Sequence, residues 1–156
     1  MRKILLWSAA LTLALDQITK VVVVFWMELI SKGQIDVWPG FVHFHMAWNT
    51  GINFGLFAGQ GDLVRWLLVV VALVVCGFVG FWMRHEQEPI ALTAAGLVVG
   101  GALGNSLDRV LYGSVADFLN VTCCGFYNPY AFNVADITIF VGLFGLVIFS
   151  TDHKNS

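Results

Sequence analysis

Apolar residues dominate four long stretches of this chain, 4–26, 63–83, 90–107 and 132–149, and polar residues collect between them. About 20 mostly apolar residues, rising 1.5 Å each in a helix, cross a hydrocarbon core of roughly 30 Å. The pattern therefore predicts an all-α polytopic membrane protein with four transmembrane helices. The last two stretches are short, so they are expected to stand with little tilt or to lean on flanking residues. Trp7, Trp26, Trp66 and Trp82 fall near the ends of stretches, at the level where an amphipathic ring prefers to sit. In the third stretch Gly96, Gly100 and Gly104 recur every fourth residue, a stripe along which another helix backbone can approach closely.

The segment between the first two stretches breaks the helical pattern. Gln34–Trp38 and 41–47 read as short strands joined at Pro39-Gly40. Proline presets φ at the second position of a turn, and glycine accepts a positive φ at the third. Trp38, Phe41, Phe44, Trp48, Phe54 and Phe57 are many aromatics for a solvated loop. A small extracytoplasmic hairpin or cradle resting on the membrane surface is expected. No repeat or low-complexity linker divides the chain, which reads as one domain over residues 1–156.

Composition agrees with the pattern. The chain is 58% hydrophobic and 12% charged, against roughly a quarter charged in a soluble domain. Lipid contact must take the place of the missing charge. The formal net charge is −2, and without a basic patch to neutralise phosphates nucleic acid is excluded as a partner. Met1-Arg2-Lys3 before an apolar run could open a cleavable signal peptide. The run resumes after Gln17 through Val21–Trp26, however, and an uncleaved signal-anchor helix fits better. Cys76 lies in an apolar stretch, and Cys123 and Cys124 are neighbours whose ring would be strained, so free thiols are expected. Arg2, Lys3, Arg84 and Lys154 flank one side of the stretches; Lys32, Arg65 and Arg109 flank the other. The bias is slight, and it sharpens if Arg109 has a specific task. It places both termini in the cytoplasm and loops 27–62 and 108–131 outside.

Ionisable groups inside spans are costly, about 2.5 kcal/mol or more at the centre. Asp16 and Lys20 stand in the first stretch and Asp136 in the fourth, and Asp117 follows the third closely. Asp16 lies about 18 Å along its helix from Ile4, beyond the midplane and towards the outside. Lys20 is one turn further on the same face, so the two can form an internal ion pair that eases insertion; either way they mark a face turned from lipid. Asn133 and Asp136 read as a helix start, with Asn133 as N-cap and the acid favoured by the helix dipole. Capping alone does not explain an acid at the lipid boundary. Asp117, within 114–119, sits in a strand-like or irregular return towards the bilayer, or is a plain surface-loop acid. A re-entrant loop would bring Asp117 and Asp136 together. Two carboxyls in a low-dielectric site do not comfortably both ionise, so one holds a proton while the other is charged. That arrangement can activate water and protonate a leaving amine. Asp108-Arg109 is either a surface pair or part of the same rim, and Asn49-Thr50-Gly51 reads as a turn. His43 and His45 share a strand face, but no further ligand at zinc-site spacing accompanies them. No Ser or Cys has a membrane-placed histidine base.

Taken in order, five motifs resemble the lipoprotein signal peptidase (signal peptidase II) family. They are Asp16-Gln17-Ile18-Thr19-Lys20; Asn49-Thr50-Gly51; Gly100-Gly101-Ala102-Leu103-Gly104-Asn105-Ser106-Leu107-Asp108-Arg109; Val115-Ala116-Asp117-Phe118; and Phe132-Asn133-Val134-Ala135-Asp136. With the apolar stretches between them they cover nearly the whole chain. The resemblance implies an aspartic endopeptidase of the bacterial inner membrane with its active site towards the outer leaflet. Asp117 and Asp136 would be the catalytic dyad. Asn105, Arg109 and Asn133 would shape the pocket, with Gly104 and Asp108 in the same motif. Asp16 and Lys20 would support it from the first helix, and Asn49 would lie near substrate. The implied reaction removes the signal peptide from diacylglyceryl-modified prolipoproteins just before the lipidated cysteine. No metal or organic cofactor is implied, the partners are the prolipoprotein and membrane lipid, and the oligomeric state is left open, a monomer being compatible with it. Ser106 and Cys123-Cys124 stand where many relatives differ. The competing expectation is a proton-coupled small membrane transporter, which would carry a lone carboxylate at the midplane.

Overall fold

The first helix, α1 (Arg2–Lys20), turns its polar residues inward. Ala9, Thr12, Asp16 and Lys20 are buried at steps of three and four, while Leu6, Leu11, Leu15 and Ile18 are exposed. Such an inverted stripe is what a helix shows when its outer solvent is hydrocarbon and its polar groups must find partners within the protein. The computed structural model describes residues 2–51, 61–122 and 128–150. Phe54, Phe57, Cys123, Cys124 and Lys154, each invoked above, lie outside the described residues. Beyond Lys20 the helix widens over Val21–Trp26, where the Met27 N–H donates to the Val22 carbonyl five residues back at 2.8 Å. It then turns through Glu28 into one short turn, α2 (Leu29–Lys32).

The hairpin follows as predicted, β1 (Gln34–Trp38) and β2 (Val42–Asn49). Gly40 has φ +82° and the Phe41 N–H closes the turn onto the Trp38 carbonyl at 2.9 Å. The second strand ends two residues later than predicted, so Asn49 closes β2 rather than opening a free turn. A third strand, β3 (Val115–Val121), pairs antiparallel with β2, giving the order β1-β2-β3 with Ala47 opposite Asp117 and Asn49 opposite Val115. Leu119 on the other edge of β3 exchanges backbone hydrogen bonds with Phe132. The underside of the sheet packs Ala116 and Phe118 against Val23, Val24 and Leu29.

Three more helices complete the bundle: α3 (Gly61–Trp82), α4 (Pro89–Tyr112) and α5 (Val134–Phe149). Helix α4 is central. The glycine stripe faces α1: a Cβ added at Gly96, Gly100 or Gly104 would lie 2.5 Å from Ser8 Cβ, the Ala9 carbonyl oxygen and Asp16 Oδ2 respectively. The third apolar stretch is not short. Helix α4 continues through Asp108 and Arg109 to Tyr112 and stops at Gly113, φ +85°. Charge ends an apolar run in sequence, but a buried, paired charge does not end a helix. The chain through Arg2–Trp26, Gly61–His85 and Pro89–Tyr112 is long and apolar enough to cross a membrane; Val134–Phe149 is apolar but shorter.

Candidate active site

Asp117 comes from β3 and Asp136 from the first turn of α5. Local rules put Asp136 there. The Asn133 side chain accepts from the Asp136 N–H at 3.0 Å, and the Asp136 carboxylate accepts from the Asn133 N–H at 3.2 Å, a reciprocal capping box. The same asparagine reaches across to the strand: its Nδ2 donates to Asp117 Oδ1 at 2.6 Å and to Asn105 Oδ1 at 3.1 Å. Asn105 in turn donates to Asp136 Oδ1 at 2.9 Å. The two carboxyls thus share Asn133 as an intermediary. Asn49, at the end of the neighbouring strand, donates to Asp117 Oδ2 at 3.0 Å and accepts from the Gly51 N–H at 2.8 Å. It makes the turn and holds the acid at once.

Asp117 is 3% exposed, whereas Asp136 is half-buried. Burial pushes the Asp117 carboxyl up to about 6; hydrogen bonds from Asn49 and Asn133 and the positive Lys20 oppose the rise, and negative Asp136 adds to it.

A second acidic pair lies beneath. Lys20 Nζ sits 2.8 Å from Asp16 Oδ2 and 2.7 Å from Asp108 Oδ2, with both carboxylates fully buried. The expected Asp16–Lys20 pair is therefore one half of a triad. Asp108 does not form a surface pair with its neighbour Arg109, because it faces the bundle interior. Each buried acid also grips a backbone amide: Asp16 Oδ1 accepts from the Ala135 N–H at 3.0 Å, and Asp108 Oδ2 from the Ala116 N–H at 3.2 Å. Ala135 precedes Asp136 and Ala116 precedes Asp117. The triad thus fixes the backbone of both upper acids against α1 and α4. Gly104 is required in the same place, since any side chain there would meet Asp16.

Gln17 was not expected as a site residue. Its Nε2 donates to Asp16 Oδ2 at 3.1 Å and Asp108 Oδ1 at 3.0 Å, cross-linking the lower acids. Its polarity inside an apolar run, and its place in the Asp16–Lys20 motif, were the signals that could have found it. Arg109 donates from one terminal nitrogen to the Asn105 carbonyl at 3.1 Å, and its charge acts on Asp117, Asp136 and Asp108. Its buried Nε has no partner among the described residues. All ten residues singled out from sequence for the site gather at this one end of the bundle. His43 lies elsewhere, its ring nitrogens 2.7 Å from Asp36 and 3.2 Å from Thr122. Among the described residues no three His, Cys, Asp or Glu side chains group as a metal site would need.

Comparison with known proteins adds an independent line. A lipoprotein signal peptidase of Rhodopseudomonas palustris (strain TIE-1) is 41% identical over 143 residues, covering 90% of this chain and 87% of the relative. One from Sphingopyxis alaskensis is 42% identical over 139 residues, covering 89% and 80%. A solved structure described as a bacterial membrane enzyme superposes with a TM-score of 0.78 at 24% identity, covering 95% of this chain and 92% of that one, which establishes the shared fold. The family model for signal peptidase (SPase) II matches residues 8–151. A match that takes in every motif and all but the first turns of α1 leaves one assignment: the chain is a membrane protein of the signal peptidase II family, a peptidase.

Proposed function

We propose that this chain is an intramembrane aspartic endopeptidase that removes the signal peptide from diacylglyceryl-modified prolipoproteins, cutting just before the lipidated cysteine, with Asp117 and Asp136 as the dyad. The observation that carries this reading is the pair of carboxyls, from β3 and α5, held together on Asn133. Burial makes Asp117 the member of the pair that keeps the shared proton, which leaves Asp136, in the first turn of α5, to act as the base. Water attacks the scissile carbonyl carbon as its proton passes to Asp136, and Asp117 protonates the carbonyl oxygen. In the collapse of the resulting diol, Asp136 returns its proton to the departing cysteine nitrogen as the C–N bond breaks. Asp117 recovers a proton from a diol hydroxyl, which leaves the new carboxyl group on the signal peptide. Arg109, whose buried Nε has no partner among the described residues and whose charge acts on both acids, is suited to binding substrate carbonyls.

The whole chain acts as one unit in this reading. It crosses the bacterial inner membrane four times, with α5 as the short fourth span, both termini cytoplasmic and the sheet on the outer surface. The exposed Trp38, Phe41 and Trp48 suit a headgroup contact. A proton-coupled transporter would need a carboxylate at mid-span, whereas Asp16, Asp108, Asp117 and Asp136 cluster at one end. The test is cleavage of a lipidated precursor peptide by pure protein in detergent, without an ion gradient. Asp117→Asn and Asp136→Asn should each remove cleavage, by roughly a thousandfold or more, while each protein stays folded. The wild type should ignore a precursor with unmodified cysteine. Near-normal turnover by either folded variant overturns the aspartic mechanism.

A further inference from the structure

The end of the bundle opposite the acids carries a second constellation. Arg2, Lys3, Arg84, His85, Glu86 and Gln87 line a cavity of about 510 Å³ where the start of α1 meets the α3–α4 connection. Arg84 stands at its rim, its guanidinium 3.6 Å from the centre of the Phe81 ring and donating to the Phe81 carbonyl at 3.0 Å. Glu86 turns one carboxylate oxygen onto the Gln87 and Glu88 N–H groups at 2.7 and 2.9 Å. With three permanent cations against one carboxylate, the lining is net positive.

Two apolar grooves leave this cavity along the bundle. One, about 350 Å³, shares Arg2 and Arg84 with it and continues between α1 and α3 over Leu6, Gly80, Phe81 and Leu92. The other, about 710 Å³, shares Lys3 and runs past Trp7, Leu11 and Leu15 of α1 towards α4 and α5. Three of its four hydroxyls are already partnered: Ser8 donates to the Thr93 carbonyl at 2.9 Å, Thr93 to that of Pro89 at 2.8 Å and Thr138 to that of Ala135 at 2.9 Å. From Lys3 to Leu15 the groove runs about 18 Å, close to one leaflet of a core of roughly 30 Å.

A cationic cup from which one apolar groove about a leaflet deep and one short groove of about 6 Å lead away matches one ligand chemistry: a phosphate headgroup without its own cation, carrying two acyl chains. We propose that this end binds one anionic phospholipid, with its phosphate among Arg2, Lys3 and Arg84, one chain along the long groove past Trp7 and the head-proximal part of the other in the short groove. A zwitterionic lipid offers the same chains, but its ammonium would face the same cations. Basic pockets between membrane helices favour anionic headgroups for this reason, at about fivefold in affinity per Lys or Arg. The site is remote from Asp117 and Asp136 and is independent of their role.

The test is native mass spectrometry of the full chain released from detergent containing equal phosphatidylglycerol and phosphatidylcholine with the same chains. One phosphatidylglycerol should be retained about tenfold over phosphatidylcholine. The Arg2→Gln/Arg84→Gln double variant should lose the preference, and Lys32→Gln, at the other end, should keep it. A second measurement locates the lipid without touching a charge. Chain-brominated phosphatidylglycerol should quench the fluorescence contributed by Trp7, taken as the difference between wild type and Trp7→Phe, more than brominated phosphatidylcholine does. Equal retention of the two lipids, a preference unchanged in the double variant, or equal quenching overturns the proposal.

Discussion

Asp117 shows how a single side chain couples chemistry to stability. Its carboxyl, at about 6 in the folded protein against 3.8 for a free side chain, binds its proton more tightly folded than unfolded. Its contribution to stability is therefore present below about pH 4 and is lost as pH rises through about 6, a swing on the order of 2 to 3 kcal/mol. Asp117→Asn carries no such titration. The unfolding midpoint of the variant, relative to wild type in the same detergent, should rise between pH 4.5 and pH 7; a constant difference refutes the linkage. Lys20 carries the opposite burden. It is the cation for two fully buried carboxylates, so Lys20→Met should destabilise by about 3 to 5 kcal/mol. Thermal unfolding of the variant checks this, and an unchanged midpoint would mean that the triad is not ionised.

At the scale of elements, β3 and the entry to α5 are the parts that must be placed. Pairing with β2 sets the register of β3, and its other edge binds Phe132, the residue before Asn133. The capping box then directs Asp136 back towards the strand. From below, Asp108 and Asp16 hold the amides of Ala116 and Ala135. The α1–α4 contact controls this clamp, because Asp16 reaches both neighbours only while Gly104 keeps a bare Cα beside it. Gly104→Ala puts a methyl 2.5 Å from Asp16 Oδ2, a contact relieved only by moving the carboxylate that holds Lys20 and the Ala135 amide. A loss of about 1 to 3 kcal/mol is expected, with cleavage per folded molecule falling too. Gly77→Ala is the control, since a Cβ there meets nothing within 4 Å. Equal effects of the two substitutions would show that the close approach is unimportant.

For the molecule as a whole, polarity is arranged by depth. The site's four aspartates, its asparagines and the sheet occupy one end, the cup of Arg2, Lys3 and Arg84 the other, and the helices between expose Leu, Val and Phe. The proposed orientation sets the acids at the outer leaflet, where the lipid anchor of a prolipoprotein would hold the scissile bond. A phosphatase reporter joined after Ser156 should be inactive in cells, and one inserted near Gly59 active. The reverse pattern would invert the topology, and two active fusions would mean that α5 does not complete a fourth crossing.

Much of this was legible in the chain itself. The apolar runs determined the long helices, Pro39-Gly40 determined the hairpin turn and Asn133 determined the start of α5, because each depends on contacts within a few residues. The glycine stripe announced a close helix approach, and acids in apolar surroundings announced the site, since their cost in lipid demands partners. Local signals could not show where β3 would pair, because a strand takes its register from a partner more than 60 residues away. Nor could they show that α4 runs on through Asp108: an acid reads as the end of a span until Lys20, on another helix, neutralises it. The role of Gln17 and the double grip on the Ala116 and Ala135 amides were hidden for the same reason. Each joins residues about 90 or more apart, or a backbone amide that no side chain advertises. Local chemistry chose the elements and the residues that had to be satisfied. Only packing across the bundle decided which partner satisfied which.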